Sequence, residues 1–102
     1  LFSHAHGFAL TRIITDEAEL LTLATDPDYR RQGIAQSLMD RMHSDLEQRG
    51  VSLIFLEVAI NNLAAQDLYS ANGYNESGQR PNYFRTPNGK RIDALILAKQ
   101  LT

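Results

Sequence analysis

The spacing of apolar residues along this chain changes several times, and each change marks an element. Residues 8–14 alternate loosely and are rich in apolar and β-branched side chains, which predicts a strand. Thr15-Asp16-Glu17 reads as a polar turn, and residues 18–25 read as a second strand that completes a hairpin. Asp26-Pro27-Asp28 stops that strand, because proline fixes its own φ and restricts the residue before it. The period then lengthens. Ile34, Leu38, Met42 and Leu46 recur every four residues with Ala35 and Met39 beside them, which predicts a helix over residues 34–49 capped by Gly50. Residues 51–58 are almost continuously apolar, the pattern of a strand covered on both faces, and Glu57 is the only ionisable residue among them. Asn61 and Asn62 are N-cap candidates for a short helix over residues 63–71, with Ala64, Ala65, Leu68 and Ala71 on its inner side. Residues 74–80 and 92–99 read as two closing strands, with a turn at Asn88-Gly89 between them. Residues 1–6 show neither helix nor hairpin logic.

That order implies an α/β fold with a mixed sheet. The strand–helix–strand step should be parallel and the flanking hairpins antiparallel. A chain of 102 residues buries one modest core, so a single domain is expected. A net charge of -2 argues against a nucleic-acid partner, since neutralising phosphates calls for an excess of Lys and Arg. With 0 Cys, thiol catalysis and thiolate metal sites are excluded. His4, His6 and His43 lack ligand spacing, so no metal is expected. No apolar run is long enough to span a bilayer and no leader pattern opens the chain, so a cytoplasmic protein is expected.

Candidate chemistry concentrates in two places. Arg30-Arg31-Gln32-Gly33-Ile34-Ala35 joins a strand end to a helix start. A helix N-terminus offers unpaired N–H groups and partial positive charge, and Gly33 lets the backbone approach a ligand, so this turn suits a pyrophosphate. An ordinary loop with two solvated arginines fits the spacing equally well. The second place is Glu57, a carboxylate within an apolar strand and a candidate general base. Its position alone also fits a Glu that reaches solvent or a surface Arg at a strand end.

Arg30-Arg31-Gln32-Gly33-Ile34-Ala35 resembles the R/Q-x-x-G-x-G/A motif of the GNAT superfamily of N-acetyltransferases. "AELLTLATDPDYRRQGIAQSLM" resembles that family's motif A, and "LEVAINNLAAQDLYSANGY" its motif B. The tail "NYFRTPNGKRIDALILAK" is similar to the closing hairpin of the ribosomal-protein-alanine (RimI-type) members. The resemblance implies a mixed, mostly antiparallel twisted sheet with a central pair of splayed parallel strands and flanking helices. It also implies acetyl-CoA as co-substrate. Leu23, Ala24 and Thr25 match the strand along which the pantetheine arm runs, and a bulge there would free an N–H for the thioester oxygen. Arg31, Gln32, Gly33, Ile34, Ala35 and Gln36 match the pyrophosphate loop. Asn62 matches a coenzyme-contacting Asn, beside its plain reading as an N-cap. Glu57 matches the general base. Tyr69 matches the Tyr that protonates the departing thiolate, beside a reading as a core aromatic. Tyr83 matches an acceptor-contacting position, beside a reading as a surface tyrosine.

The implied reaction is direct acetyl transfer to a protein N-terminal α-amine, the alanine of a ribosomal protein, with no membrane or nucleic-acid partner. Acetylation of a small amine or of lysine, or a catalytically incomplete coenzyme-binding module, are the alternatives. Ala59, Asn61, Phe84 and Arg85 depart from the RimI-type Arg, Ser and Tyr-Pro, all near the acceptor side. The family's opening strand, two helices and next strand, which come before the position of Phe8, have no counterpart in this sequence. The expectation is therefore an open edge along residues 8–14, completed by a preceding segment or by a second copy in a dimer.

Overall fold

The computed structural model describes residues 1–25 and 33–101. The opening residues depart from expectation. Phe2–His4 is a strand, β1, paired antiparallel with β2 (Gly7–Ile14) in the register Phe2↔Ala9, Ser3↔Phe8 and His4↔Gly7. The two-residue turn between them is closed by the His6 N–H, which donates to His4 Nδ1 at 3.1 Å. That local bond is invisible to hydropathy, as is the backbone pairing it accompanies. The edge expected along residues 8–14 is therefore paired as far as Ala9, and β1 ends before Leu10 to Ile14.

β2 returns through Thr15, at φ 59, into β3 (Glu17–Thr25). Their register jumps between Leu10↔Thr22 and Thr11↔Leu20, so Leu21 is an extra residue in β3. Leu20 is buried, and the bulge explains why the next two residues, Leu21 and Thr22, are both exposed, breaking the alternation of the strand. α1 (Ile34–Gln48) lays Ile34, Leu38, Met39, Met42 and Leu46 against this hairpin, where Ala9, Ala18 and Leu20 are also buried. Each such side chain stabilises the fold by roughly 1.5–3 kcal/mol. Arg41 adds a tie, its Nη1 donating to the Ser3 carbonyl at 2.7 Å. Gly50, at φ 82, ends the helix and lets the Val51 N–H reach back to the Leu46 carbonyl at 3.0 Å. These elements, Leu1–Ile54 with Leu101, form one compact unit.

The second unit is Phe55–Gln100. β4 (Leu53–Ala59) leads into it. Ile54, Leu56 and Val58 are buried, whereas Leu53, Phe55, Glu57 and Ala59 alternate with them as half-buried residues. One face, not both, is thus fully covered. α2 (Leu63–Ala71) has the expected bounds, but Tyr69 is its buried residue and Ala64 and Ala71 are exposed. A nine-residue helix presents a narrow stripe, and the bulkier side chain occupies it. β5 (Asn75–Arg85) and β6 (Arg91–Gln100) are longer than their apolar stretches suggested, because paired backbone continues through polar residues.

The six strands form a mixed sheet in the order β1-β2-β3-β4-β6-β5, with a parallel pair and two accompanying helices. No helix among the described residues is long and apolar enough to cross a membrane.

Candidate active site

Glu57 lies on the half-buried face of β4, and its side chain is 10% exposed. A carboxylate at that depth is costly unless partnered. Oε1 takes Arg80 Nε at 3.0 Å. Oε2 is buried and has no hydrogen-bond partner among the described residues. A buried carboxylate oxygen left over in this way is uncommon in folded proteins.

Arg80 was not singled out in the sequence. It stands on β5 just before a break in the ladder. Arg80 pairs with Ala94 and the next pair is Phe84↔Ile92, so Pro81, Asn82 and Tyr83 bow out opposite Asp93. Proline, which lacks an N–H for the ladder, is at home in such a bulge. Asn82 turns the chain at φ 54, and its N–H donates to Asp93 Oδ1 at 2.9 Å. Gln79 Nε2 donates to Asp93 Oδ2 at 3.1 Å. Both Asp93 oxygens thus hold the bulge. Tyr83 projects from it, half-exposed, edge-on to Phe84 at 5.1 Å, with the Arg80 guanidinium 5.4 Å from its ring centroid. Glu57, Arg80 and Tyr83 therefore form one contiguous chain of contacts. Pro81 was the available signal for the bulge, but it does not reveal which side chain Arg80 meets.

Tyr69, twelve residues beyond Glu57 on α2, is buried against Tyr74 in an edge contact at 5.5 Å. Burial raises its hydroxyl pKa above the ordinary 10.0. Tyr74 is raised too, by burial first and then by the Tyr69 charge. Tyr69 thus remains a proton carrier across the ordinary pH range. Gln66 joins its helix to the end of the Glu57 strand, donating from Nε2 to the Ala59 and Ile60 carbonyls at 3.0 and 2.9 Å. Asn62 is an N-cap, its Oδ1 accepting the Ala65 N–H at 3.2 Å.

In the first unit, Leu23, Ala24 and Thr25 end β3 and are half-buried, paired with Ala9, Phe8 and Gly7. Ala24 and Thr25 line an open depression of ≈ 730 Å³ with His4, His6 and Phe8. Gly7 is tightly enclosed. A Cβ there would lie 2.7 Å from the Ala24 carbonyl oxygen and 3.2 Å from the Ile34 side chain. Gly33 precedes α1 at φ 76, makes no side-chain cap, and has nothing within 4 Å of where a Cβ would sit. The first-turn N–H groups of Ile34, Ala35 and Gln36 follow it. A helix start that has no side-chain cap among the described residues presents the kind of N-terminus that takes an anion. Arg31 and Gln32 lie outside the described residues. Among the described residues no cluster of three or more His, Cys, Asp or Glu side chains is placed to hold a metal.

Residues 4–74 match the acetyltransferase (GNAT) family. The chain is 46% identical, over 92 residues, to the [ribosomal protein bS18]-alanine N-acetyltransferase of Escherichia coli (strain K12), covering 90% of this chain and 62% of that protein. The crystal structure of the ribosomal-protein-S18-alanine N-acetyltransferase from Escherichia coli superposes with a TM-score of 0.90 at 43% identity, over 95% of this chain and 62% of the other. Ard1 from Thermoplasma volcanium gives a TM-score of 0.85 at 26% identity, over 95% and 64%. The chain thus spans about three fifths of the length of these relatives (62% of the Escherichia coli protein).

Proposed function

Because the chain belongs to the acetyltransferase (GNAT) family, we propose that it takes part in acetyl transfer from acetyl-CoA to a protein N-terminal α-amine, the alanine of a ribosomal protein. The observation that carries this reading is Glu57 Oε2, a buried carboxylate oxygen with no hydrogen-bond partner among the described residues. An α-amine reaches an enzyme as ammonium and must lose a proton before it can attack. Oε2 takes that proton. Acetyl-CoA supplies an activated acyl thioester. The neutral amine attacks the thioester carbonyl and forms the C–N bond. As the C–S bond breaks, the Tyr69 hydroxyl gives its proton to the departing sulfur. The second proton of the nitrogen leaves to restore the phenol, giving the amide and the free thiol. The chain has 0 Cys, which favours direct attack over a thioester-linked acetyl-enzyme.

The residues assigned to the coenzyme are Leu23, Ala24 and Thr25 along the pantetheine arm and Arg31, Gln32, Gly33, Ile34, Ala35 and Gln36 at the pyrophosphate. Asn62, which also caps α2, is assigned to the coenzyme as well. Tyr83 is the acceptor contact. The reaction is placed in the cytoplasm, where ribosomal proteins are made, with no metal.

The test compares kcat/KM for an Ala-starting peptide with that for an N-blocked, lysine-containing counterpart, using wild type and Glu57→Gln. The expected result is preference for the free α-amine and a roughly 10²-fold lower kcat in Glu57→Gln, at unchanged coenzyme affinity. Preference for the blocked peptide would move the assignment to lysine. Coenzyme binding without any turnover would identify an incomplete module.

A further inference from the structure

Arg80 joins two groups that the proposed chemistry uses, Glu57 and Tyr83. Its side chain is 56% exposed, whereas Glu57 beneath it is 10% exposed. A surface guanidinium that only decorated the sheet would bring little stability. This one reaches inward to a single carboxylate oxygen at 3.0 Å while its charged carbon sits 5.4 Å from the Tyr83 ring centroid. The bulge that sets its direction is itself fastened through Asp93 to Asn82 and Gln79.

We propose that Arg80 is a positioning residue that fixes the Glu57 carboxylate by one oxygen and steadies the Tyr83 ring, so that only Oε2 faces the acceptor amine. This rests on the reading of Glu57 as the proton acceptor. A glutamate carboxyl group swings easily about its last torsion, and either oxygen can then lead. An N–H donor on Oε1 removes that freedom and orients the lone pairs of Oε2. The same guanidinium lies within cation–π range of an aromatic ring that the acceptor peptide meets. Proton removal and acceptor seating are thereby fixed by one side chain, and both loosen when it is lost.

The test is a double-mutant cycle on acetyl transfer to an Ala-starting peptide. It uses wild type, Arg80→Gln, Arg80→Lys, Glu57→Gln and the double variant Arg80→Gln with Glu57→Gln. Arg80→Gln should lower kcat by roughly tenfold or more and raise acceptor KM a few-fold, at unchanged coenzyme affinity. Arg80→Lys, which keeps a cation for Oε1, should recover most of kcat. In the Glu57→Gln background the Arg80→Gln change should cost less than about twofold in kcat, because the carboxylate it orients is already gone. Losses that multiply in the double variant, or no recovery by Lys, would show a general structural effect and overturn the role. An impaired Glu57→Gln beside a fully active Arg80→Gln overturns the role of Arg80 alone. A fully active Glu57→Gln overturns the proton-acceptor reading itself, and the positioning role with it.

Discussion

Gly33 offers a way to separate a coenzyme-binding role from a folding role. It sits at φ 76, and a Cβ there would meet nothing within 4 Å. Gly89, in the turn between β5 and β6, sits at φ 83 with equally open surroundings. Valine at either position incurs the same backbone penalty, roughly 1–2 kcal/mol for an L-residue in left-handed geometry. Neither variant adds a clash with the described residues. The two should therefore lose similar stability, a fall in Tm of about 5–15 °C for a domain of this size. They should differ in coenzyme affinity. In Gly33→Val the new side chain stands at the start of α1, where the coenzyme's pyrophosphate is assigned. Acetyl-CoA binding should weaken more than tenfold, about 1.4 kcal/mol or more. Gly89→Val should bind as wild type does. The assay is calorimetric titration with acetyl-CoA well below both Tm values, so that folded protein is compared with folded protein. Equal affinity in the two variants would refute the assignment of the turn before α1 as the anion site.

Tyr69→Phe should lower kcat about tenfold or more while leaving acceptor KM and coenzyme affinity in place, as stopped-time assays with the Ala-starting peptide can read. Alkaline stability should follow the two buried phenols. Their pKa values are raised from 10.0, so above pH 10 the folded state retains protons that the unfolded chain releases. That contribution is fully present below pH 10 and is lost as pH rises through the raised values. Tm recorded from pH 9 to 12 should therefore fall less steeply in Tyr74→Phe than in wild type. Gly7→Ala should destabilise by about 1–3 kcal/mol, since its Cβ would lie 2.7 Å from the backbone oxygen of Ala24 and backbone must move. Because Ala24 belongs to the strand assigned to the pantetheine arm, coenzyme affinity should weaken as well, and an unchanged Kd would separate Gly7 from the site.

Local patterns carried the elements whose stabilising contacts repeat at short range. The four-residue recurrence from Ile34 to Leu46 defined α1 because every turn of an amphipathic helix places one such residue on the same side. Asn62 announced α2 because an N-cap acts within three residues. Glu57 drew notice as the lone charge in an apolar run. Tertiary structure alone decided what depends on register between distant segments. β1 exists because Phe2 to His4 find a partner in β2, with too few residues to show a period. The bulge at Leu21 comes from the pairing of β2 with β3, since an extra residue has meaning only against its partner strand. The crowding at Gly7 comes from the approach of Ala24 and Ile34. Arg80 meets Glu57 only because the ladder of β5 and β6 breaks after it and Asp93 holds the break open. A one-residue slip in a strand turns every side chain to the other face, so no local reading could choose Arg80 over Arg85 or Arg91 as the partner of that carboxylate.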